Sequence, residues 1–436
     1  MRWVRRILLG LVVLVVVALV GGYWYERPLL LTGTGYAAHN ACAVTQVAGR
    51  QNPQSDLPPN PLVPYLRTSV DGTARTARAT LLGVLAGQKA WYADGFGCTL
   101  SAKQPSFGRP TAVTSSGNPF TDAPPPAADP TVDAAVATAF GAPGTRAIIV
   151  VKDGRLVAER YADGFTSTTP QLGWSMSKSV TSLLVGRLVL DGSVKITDDH
   201  LRPTWTDDRS KITVDELMRM TSGLSWDETY SLGTPITRML YLEPDMAAYV
   251  SARPLAHVPG TYEQYSSGST TLLAGILAQR TGEGADLPRR ELFAPLGLSS
   301  AVLEPDAVGT PVASSYMWAT PRDWAAVGQL ALQDGVWNGR RLLPEGWMAQ
   351  TTTVTPVAKA EDAGYAAGWW ANRLADGSLA DTSLPPDAYY ADGHDGQRIF
   401  VVPSARLVVV RLGFSPGVTK PALRVSALVH ALVAAG

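Results

Sequence analysis

The chain has no excess of charge of either sign. Its 436 residues include 37 basic and 37 acidic side chains, so the formal net charge is zero. Proteins that bind nucleic acids normally carry a basic surface, and this balance argues against a nucleic-acid partner. Only 8 of the basic residues are lysines, so each lysine is informative.

Histidine and cysteine are scarce. The five histidines are scattered along the chain, and neither an HExxH nor a CxxC motif occurs. The sequence therefore indicates no metal site, and no cofactor is expected. The only cysteines are Cys42 and Cys98. In an exported protein an even number of cysteines favours a disulfide between them, and two unrelated buried thiols are the alternative.

Charge is absent altogether from residues 7–25, which read ILLGLVVLVVVALVGGYWY. A helix of these 19 residues is long enough to cross a bilayer. The arginines at positions 2, 5 and 6 should stay in the cytoplasm, which places the remaining chain outside the membrane. A cleaved signal peptide is the alternative. Because no small-x-small cleavage motif follows the apolar run, an uncleaved anchor is favoured. Aromatic residues that can form interfacial belts flank the run: Trp3, Tyr23, Trp24 and Tyr25.

Four regions follow from the composition. We expect a membrane anchor or signal peptide over residues 1–26 and an extracytoplasmic region with both cysteines over 27–100. Residues 101–130 contain seven prolines and are interpreted as a linker or a surface-wrapping arm. Residues 131–436 form the main domain.

The main domain shows an α/β (α+β) pattern. Residues 147–161 and 398–412 each predict a β-hairpin, and the first has Asp153-Gly154 at its turn. Residues 321–335 and the C-terminal segment after residue 421 show helical spacing. The pattern predicts a largely antiparallel sheet built from both ends of the domain, with helices packed on it and a helical insertion between.

One serine lies three residues before a lysine, in GWSMSKSVTSLLVGRLVLDG. Ser175 follows a loop and precedes an apolar helix, whose free N–H groups and dipole favour developing negative charge. Lys178 lies one turn further on the same face, so the two side chains can approach each other. The alternative is that Ser175 is an ordinary N-cap and Lys178 a solvated charge.

A rival nucleophile occurs in GFSPG at residues 413–417. The residue after a nucleophilic serine must donate a backbone N–H to the oxyanion, and Pro416 has none. No Asp or Glu follows Ser415, and His430 sits in an apolar helix. The motif is therefore interpreted as a turn, and His430 as a surface or packing residue.

Three motifs occur in order. Ser175-x-x-Lys178 is followed by Tyr265-Ser266-Ser267, and then by His394-Asp395-Gly396 at the start of a strand. This order resembles the serine hydrolases related to class C β-lactamases and D,D-peptidases. The similarity covers roughly residues 131–436. Within this family the chain resembles the 6-aminohexanoate-dimer hydrolases and related esterases, in which the second motif is often Y-x-S and the third has His in place of Lys.

The resemblance implies a β-lactamase/D,D-peptidase-like fold, in which an antiparallel sheet flanked by helices lies beside a mostly helical region, with the site between them. It implies that Ser175 is the nucleophile. Lys178 and Tyr265 become the acid/base pair, with the lysine cation lowering the tyrosine pKa.

The resemblance also assigns substrate-binding roles. Ser267 replaces the usual asparagine. The oxyanion hole would be the backbone N–H groups of Ser175 and Gln397, just after His394, Asp395 and Gly396. SWDETYS (225–231) is a candidate lip with Tyr230 as a substrate contact, and a surface-loop tyrosine is the alternative.

The expected function is a membrane-anchored extracytoplasmic serine hydrolase that cleaves small esters or amides through an acyl-enzyme. The alternatives are a D,D-peptidase or β-lactamase, and a non-catalytic penicillin-binding-like protein. His394 stands where relatives have a lysine that helps hold a substrate carboxylate, and Asp395 adds negative charge beside it. Neutral esters or linear amides are therefore expected to be better substrates, unless Arg398 restores the attraction. The sequence does not give the oligomeric state.

Overall fold

The structure is a computed structural model that describes residues 2–435. Its α-helices are α1 (Arg2–Gln46), α2 (Pro130–Phe140), α3 (Met176–Leu190), α4 (Val214–Met218), α5 (Pro235–Leu242), α6 (Met246–Ser251), α7 (Ser267–Thr281), α8 (Ala294–Leu296), α9 (Pro321–Leu332), α10 (Trp347–Thr352) and α11 (Val425–Ala434). Its strands are β1 (Leu66–Asp71), β2 (Thr76–Leu81), β3 (Leu85–Ala93), β4 (Gly97–Leu100), β5 (Thr145–Lys152), β6 (Arg155–Tyr161), β7 (Gln171–Leu172), β8 (Tyr262–Glu263), β9 (Val302–Leu303), β10 (Met317–Ala319), β11 (Val336–Trp337), β12 (Arg340–Arg341), β13 (Lys359–Ala360), β14 (Trp370–Ala371), β15 (Tyr389–Gly393), β16 (Gln397–Val402) and β17 (Leu407–Gly413).

The main sheet has six antiparallel strands in the order β14-β15-β16-β17-β5-β6. It combines strands from both ends of the main domain, as the sequence predicts. The central strand β17 reads LVVVRLG and is buried along its whole length because helices cover both faces of the sheet. On one face α9 packs so closely that Gly328 lies against Val408 and Ile399. Helices α2 and α11 cover the other face.

Both predicted hairpins and both predicted helices are confirmed. Asp153 and Gly154 join β5 to β6 with φ angles of 51° and 72°, the positive values that a tight two-residue turn requires. β16 and β17 form the second hairpin, with Phe400 opposite Val409. Helix α9 begins at Pro321, and α11 covers the C-terminal apolar segment.

A mostly helical region lies between α3 and α9 in the sequence. It contains α4 to α8, and its apolar side chains share one core with α3 and with the inner face of the sheet. Helix α3 is buried on nearly all sides, and it ends before Gly192, whose φ of 82° only glycine adopts readily. The expected β-lactamase-like arrangement of sheet and helical region is therefore confirmed.

Helix α1 has two halves with different surroundings. Residues 7–22 are exposed and carry no charged side chain, and helix α1 is long and apolar enough to cross a membrane. The residues from Thr32 to Val44 are almost all buried against the rest of the protein. The helix runs through the boundary placed at residue 26, so the apolar half is joined to the folded domain without a flexible linker.

The N-terminal region contains a four-stranded antiparallel sheet in the order β1-β2-β3-β4, which packs on the buried half of α1. Cys42 in α1 and Cys98 in β4 form a disulfide with a Cα–Cα distance of 6.0 Å, as the sequence predicts. The disulfide joins the helix to the far edge of this sheet.

The proline-rich segment 101–130 lies along the main domain. Arg322 donates to three of its backbone carbonyls, those of Phe120, Thr121 and Ala123. Asn118 donates to the buried carboxylate of Asp323 at 2.7 Å. These bonds support the surface-wrapping interpretation over the linker. The four-region division itself stays a prediction.

Candidate active site

Ser175 occupies the N-cap position of α3, but its side chain makes no capping hydrogen bond. The comparable Ser266 at the start of α7 does cap its helix, since its hydroxyl accepts the backbone N–H of Ser269 at 3.0 Å. The hydroxyl of Ser175 instead lies 2.9 Å from the Nζ of Lys178. The predicted approach of these two side chains is thus present, and the ordinary N-cap interpretation does not describe this serine.

Lys178 has three polar neighbours. Its Nζ lies 2.9 Å from the Oγ of Ser175, 2.9 Å from the Oγ of Ser267 and 3.1 Å from the carbonyl oxygen of Ser314. The Ser314 carbonyl can only accept a hydrogen bond. The Ser267 hydroxyl donates its proton to Glu228, so it too must accept from the lysine. A neutral amine has two N–H groups and one lone pair, which leaves the lone pair facing the hydroxyl of Ser175.

The surroundings favour this neutral amine. Lys178 is 2% exposed, and burial lowers its pKa from 10.5 to about 8. The nearby carboxylates of Glu228 and Asp392 partly oppose that lowering. With this pKa roughly a tenth of the lysine is neutral at pH 7, and the neutral fraction that a general base requires increases as the pH rises toward 8.

Tyr265 lies on the other side of the lysine, with Lys178 Nζ 4.8 Å from the centre of its ring. The expected lowering of its pKa by the lysine cation is wrong. Burial raises the pKa of Tyr265 well above its usual value, and Tyr365 and Glu228 raise it further, while the nearby Ser175 hydroxyl opposes them. The tyrosine is consequently a phenol at neutral pH, and Lys178 is the group whose pKa is shifted toward neutral pH.

Glu228 is a site residue that the sequence did not reveal. Its Oε1 accepts the Ser267 hydroxyl at 2.5 Å, and its Oε2 accepts the Ser267 backbone N–H at 2.9 Å. It also accepts the indole N–H of Trp226 at 2.6 Å. Glu228 lies within the SWDETYS segment, but nothing in the segment indicated which of its residues would reach the lysine's neighbour.

The His394-Asp395-Gly396 turn lies beside the nucleophile. A Cβ at Gly393 would lie 2.1 Å from the carbonyl oxygen of Gly173, so only glycine allows the end of β15 to approach the loop before Ser175. Gln397 follows the turn, and its side chain bonds both the N–H and the carbonyl of Gly413. The backbone N–H of Ser175 has no hydrogen-bond partner within residues 2–435, as an oxyanion-hole donor requires.

Arg411 and Ser415 stabilise this turn through hydrogen bonds. Arg411 is buried, and it donates to the carbonyl of Gly396 at 2.7 Å and to the hydroxyl of Ser415 at 2.8 Å. Ser415 donates in turn to the carbonyl of Pro143. The hydroxyl in GFSPG is thus committed to structural bonds. His430 lies on the exposed side of α11, with its Nδ1 2.8 Å from the carbonyl of Ser383.

The charged groups around the turn are mostly buried or paired. The carboxylate of Asp395 is buried, and burial raises its pKa. Arg398 is also buried, and it pairs with Asp392 at 2.5 Å. Lys420 pairs with the other oxygen of Asp392 at 2.9 Å. The two cations thus share the single carboxylate of Asp392.

Aromatic side chains form the wall next to the nucleophile. The predicted lip residue Tyr230 stacks on the half-exposed ring of His394, with 4.8 Å between ring centres. Trp174, which directly precedes Ser175, meets both rings edge-on. Tyr36 of α1 meets Trp174 edge-on at 6.2 Å and stacks on Tyr241 at 5.0 Å. Residues from the N-terminal region therefore reach the site, which no motif in that region indicated.

Comparisons with known proteins cover most of the main domain. The beta-lactamase family model matches residues 132–430. A 6-aminohexanoate-dimer hydrolase from Paenarthrobacter ureafaciens is 26% identical over 303 residues, which are 62% of this chain and 73% of the relative.

Within residues 2–435 no three His, Cys, Asp or Glu side chains are grouped so that they could hold a metal ion.

Solved structures share the fold. A Bacillus anthracis structure assigned provisionally as a 6-aminohexanoate-dimer hydrolase has a TM-score of 0.57 at 21% identity, covering 76% of this chain and 89% of its own. A beta-lactamase/D-alanine carboxypeptidase from Yersinia pestis has a TM-score of 0.54 at 20% identity, covering 70% of this chain and 98% of its own. With a family model that spans more than half of its length, the chain belongs to the beta-lactamase family of serine hydrolases.

Proposed function

We propose that the protein is a membrane-anchored extracytoplasmic serine hydrolase that cleaves esters or amides through an acyl-enzyme on Ser175. The observation that carries the proposal is the set of contacts around Lys178. Two acceptors, Ser267 Oγ and the Ser314 carbonyl, take the two N–H groups of a neutral amine. The remaining lone pair then faces the Ser175 hydroxyl 2.9 Å away, in position to take its proton.

Acylation follows from this geometry. Ser175 Oγ attacks the substrate carbonyl carbon while its proton passes to Lys178 Nζ. The carbonyl oxygen becomes an oxyanion, and the backbone N–H groups of Ser175 and Gln397 are the proposed donors that stabilise it. When the tetrahedral intermediate collapses, the C–O or C–N bond breaks. The phenol of Tyr265 protonates the departing alcohol or amine and regains a proton from the lysine ammonium.

Deacylation uses the same groups in reverse. Water attacks the ester carbonyl on Ser175, and its proton passes to the neutral Lys178. Collapse of the second intermediate breaks the bond to Ser175 Oγ, which recovers its proton from the Lys178–Tyr265 pair. The carboxylic acid product leaves, and the lysine is neutral again. No charge or proton is left over after one turnover.

The charges around the site support neutral substrates. The cations Arg398 and Lys420 both pair with the carboxylate of Asp392, and residue 394 is a histidine rather than a lysine or arginine. A substrate carboxylate would therefore have to compete with Asp392 for these cations. The relative from Paenarthrobacter ureafaciens is named for hydrolysis of a 6-aminohexanoate dimer. This name supports linear amides as a substrate class, although an amide-linked dimer of an amino acid keeps a free carboxylate and so does not itself support neutral substrates.

Two features support an extracytoplasmic location. The exposed half of α1 carries an 18-residue window of mean hydropathy 2.6, and arginines precede it. The disulfide between Cys42 and Cys98 is of the kind that persists in oxidising compartments. Accessibility of the main domain to protease added to intact cells tests this placement, and a mature chain that starts well past residue 20 would identify a cleaved signal instead.

A fluorophosphonate probe tests the catalytic proposal on the full chain in detergent. We expect the probe to label the wild type and the Ser415→Ala variant, and not the Ser175→Ala variant. Labelling that survives Ser175→Ala and is lost in Ser415→Ala would reverse the assignment, and no labelling of the wild type would favour a non-catalytic binding protein. Hydrolysis of a panel of neutral esters, linear amides and a chromogenic cephalosporin then decides the substrate class.

A further inference from the structure

The turn that joins β2 to β3 is apolar and exposed. Within residues 82–84, Leu82 is 59% exposed and Val84 is 78% exposed. Tyr65, which is 53% exposed, lies beside the turn, since its carbonyl accepts the N–H of Leu82 at 2.9 Å. These side chains contribute little to the protein core and lie outside the catalytic centre. Exposed apolar side chains that cluster in this way mark a surface for an apolar partner.

The sequence around the turn carries no charge. Residues 79–87 read ATLLGVLAG, and the adjoining segment 57–66 reads LPPNPLVPYL. The opposite end of the same sheet differs, because the β1–β2 turn there carries Asp71 and Arg75. At the end with the β2–β3 turn, one cation lies beside the uncharged segments, since Arg67 donates to the carbonyls of Pro64 and Leu66.

Leu82 in this turn has a strained backbone conformation. Leu82 has a φ of 52°, in the left-handed region that glycine and asparagine adopt more easily. A soluble hairpin normally has Asn, Asp or Gly at such a position. Backbone strain retained with an exposed apolar side chain points to a role for that side chain outside the fold.

Hydrogen bonds hold the turn beside α1. The backbone N–H of Ala86 donates to the Oη of Tyr23 at 3.1 Å, and its carbonyl accepts from the hydroxyl of Thr34 at 2.6 Å. Further along β3, Ala90 packs in the same cluster as Ala41 of α1. The strand and the helix therefore run in the same direction, and the β2–β3 turn points toward the apolar half of α1.

The level of Tyr23 places the turn relative to a membrane. At about 1.5 Å per residue, the apolar run 7–25 spans roughly 28 Å, close to the thickness of a bilayer core. Tyr23 lies near the outer end of this run, where aromatic side chains sit in the headgroup region. Ala86 is bonded both to Tyr23 and to Thr34, so it lies between the levels of these two residues, and the turn extends from there toward the level of Tyr23.

We propose that the β2–β3 turn, with Leu82, Val84 and Tyr65, inserts into the outer interface of the lipid bilayer as a second membrane contact beside α1. The inference rests on the proposed anchoring by α1. Continuity with the apolar run, the lack of charge in the turn and the strained leucine all favour lipid over a protein partner for this surface.

The second contact fixes the orientation of the catalytic domain. A single helix allows the domain to rotate about its axis, whereas a helix and a turn in the same interface do not. Tyr36 lies 13 residues beyond Tyr23 in the same helix, a rise of about 20 Å. Because Tyr36 contacts Trp174 next to the nucleophile, the active site is held at a set height above the bilayer surface.

Site-specific labelling of the full chain in lipid vesicles tests the proposal. Both native cysteines are in the disulfide, so a single introduced cysteine carries the fluorophore NBD. The variants are Val84→Cys at the turn, Val70→Cys near the charged end of the same sheet, and Val15→Cys in the apolar run. Val70 is 40% exposed and Val15 is 53% exposed, so all three positions accept a label. The vesicles are phosphatidylcholine with and without lipids brominated in the upper acyl chain, near the level of the turn, and in the lower acyl chain, near the level of residue 15.

We expect the brominated lipids to quench the label at residue 84 and at residue 15, and to leave the label at residue 70 unchanged. Quenching at residue 15 without quenching at residue 84 would overturn the second contact and leave the anchor intact. Equal quenching at residues 84 and 70 would also overturn it, because the contact would not be specific to the turn. No quenching at residue 15 would overturn the anchoring and, with it, the inference that depends on it.

Discussion

The carboxylate of Glu228 accepts both hydrogen bonds that Ser267 donates, one from the hydroxyl at 2.5 Å and one from the backbone N–H at 2.9 Å. This pairing fixes the direction of the Ser267 hydroxyl. The Ser267 hydroxyl oxygen therefore accepts an N–H from Lys178, and the lone pair of the neutral lysine faces the hydroxyl of Ser175. Glu228 is in this way a positioning residue for the general base, although it does not contact the nucleophile.

Replacement of the Glu228 carboxylate should lower the pKa of Lys178. The carboxylate raises the lysine pKa, so Glu228→Gln should move the acid limb of the kcat/KM profile to lower pH. The amide also weakens the fixed Ser267 bond, and kcat should fall about tenfold, in line with the loss of a hydrogen bond to a charged group. The matched control is Asp227→Asn, the same charge change on the exposed neighbour. An equal shift in both variants would contradict the positioning role.

Activity of the wild type should rise with pH through the titration of Lys178. The base must be neutral, and its pKa is lowered to about 8. The value of kcat/KM should therefore fall about tenfold for each pH unit below the lysine pKa and level off above it. Lys178→Arg, which stays charged, should be inactive throughout. A profile that is flat from pH 6 to 9 would show that the lysine is not the titrating base.

The part of the site that could be predicted from sequence is the part encoded locally. Ser175 and Lys178 are three residues apart on one helix, so helical geometry alone brings them together. Glu228 and Ser267 are distant in sequence and meet only after α7 packs against the SWDETYS loop. The hairpin at Asp153 and its partner strands were likewise predictable from turn residues and alternation.

The direction of the Tyr265 pKa shift could not be predicted from sequence. The prediction counted the charge of Lys178, whereas the burial of the phenol dominates in the structure. Burial depends on the whole packed core around the site. The contact of Tyr36 with Trp174 was hidden for a similar reason, because it joins a membrane-proximal helix to a loop of the main domain.

Tyr36 should support the active site from α1. Tyr36→Leu removes the stack on Tyr241 and the edge contact with Trp174. Since aromatic pairs contribute about 0.5–1.5 kcal/mol beyond area burial, we expect several-fold slower labelling by the fluorophosphonate probe. Tyr25→Leu, an exposed tyrosine of the same helix, is the control and should label at the wild-type rate. Equal rates in all three proteins would show that α1 does not influence the nucleophile.

The Cys42–Cys98 disulfide should stabilise the N-terminal region. The two cysteines are 56 residues apart, and closing a loop of this length contributes about 4 kcal/mol in the chain-entropy model. The double variant Cys42→Ala/Cys98→Ala should unfold at a lower temperature than the oxidised wild type. Peptide mapping under non-reducing conditions checks the bond directly, and recovery of both cysteines as free thiols from exported protein would exclude it.

His394 offers the sharpest test of substrate class. The ring stacks on Tyr230 at the edge of the site, and the resemblance of the three motifs implies that this position is a lysine in the β-lactamase and D,D-peptidase relatives. The other nearby cations cannot substitute easily, because Arg398 is buried and Lys420 is committed to the same carboxylate, Asp392. A free positive charge at residue 394 should therefore be new to this site.

The variant His394→Lys should shift preference toward substrates that carry a carboxylate. A charge-assisted hydrogen bond contributes about 1.5–3 kcal/mol, so the ratio of kcat/KM for an acidic ester to that for its neutral methyl ester should rise about tenfold or more. His394→Gln is the control, since it also removes the stack on Tyr230 but adds no charge, and its ratio should stay near that of the wild type. If His394→Lys leaves the ratio unchanged, Arg398 or Lys420 already serves the carboxylate. The wild type should then hydrolyse the cephalosporin as well as it does a p-nitrophenyl ester, and the neutral-substrate proposal would be wrong.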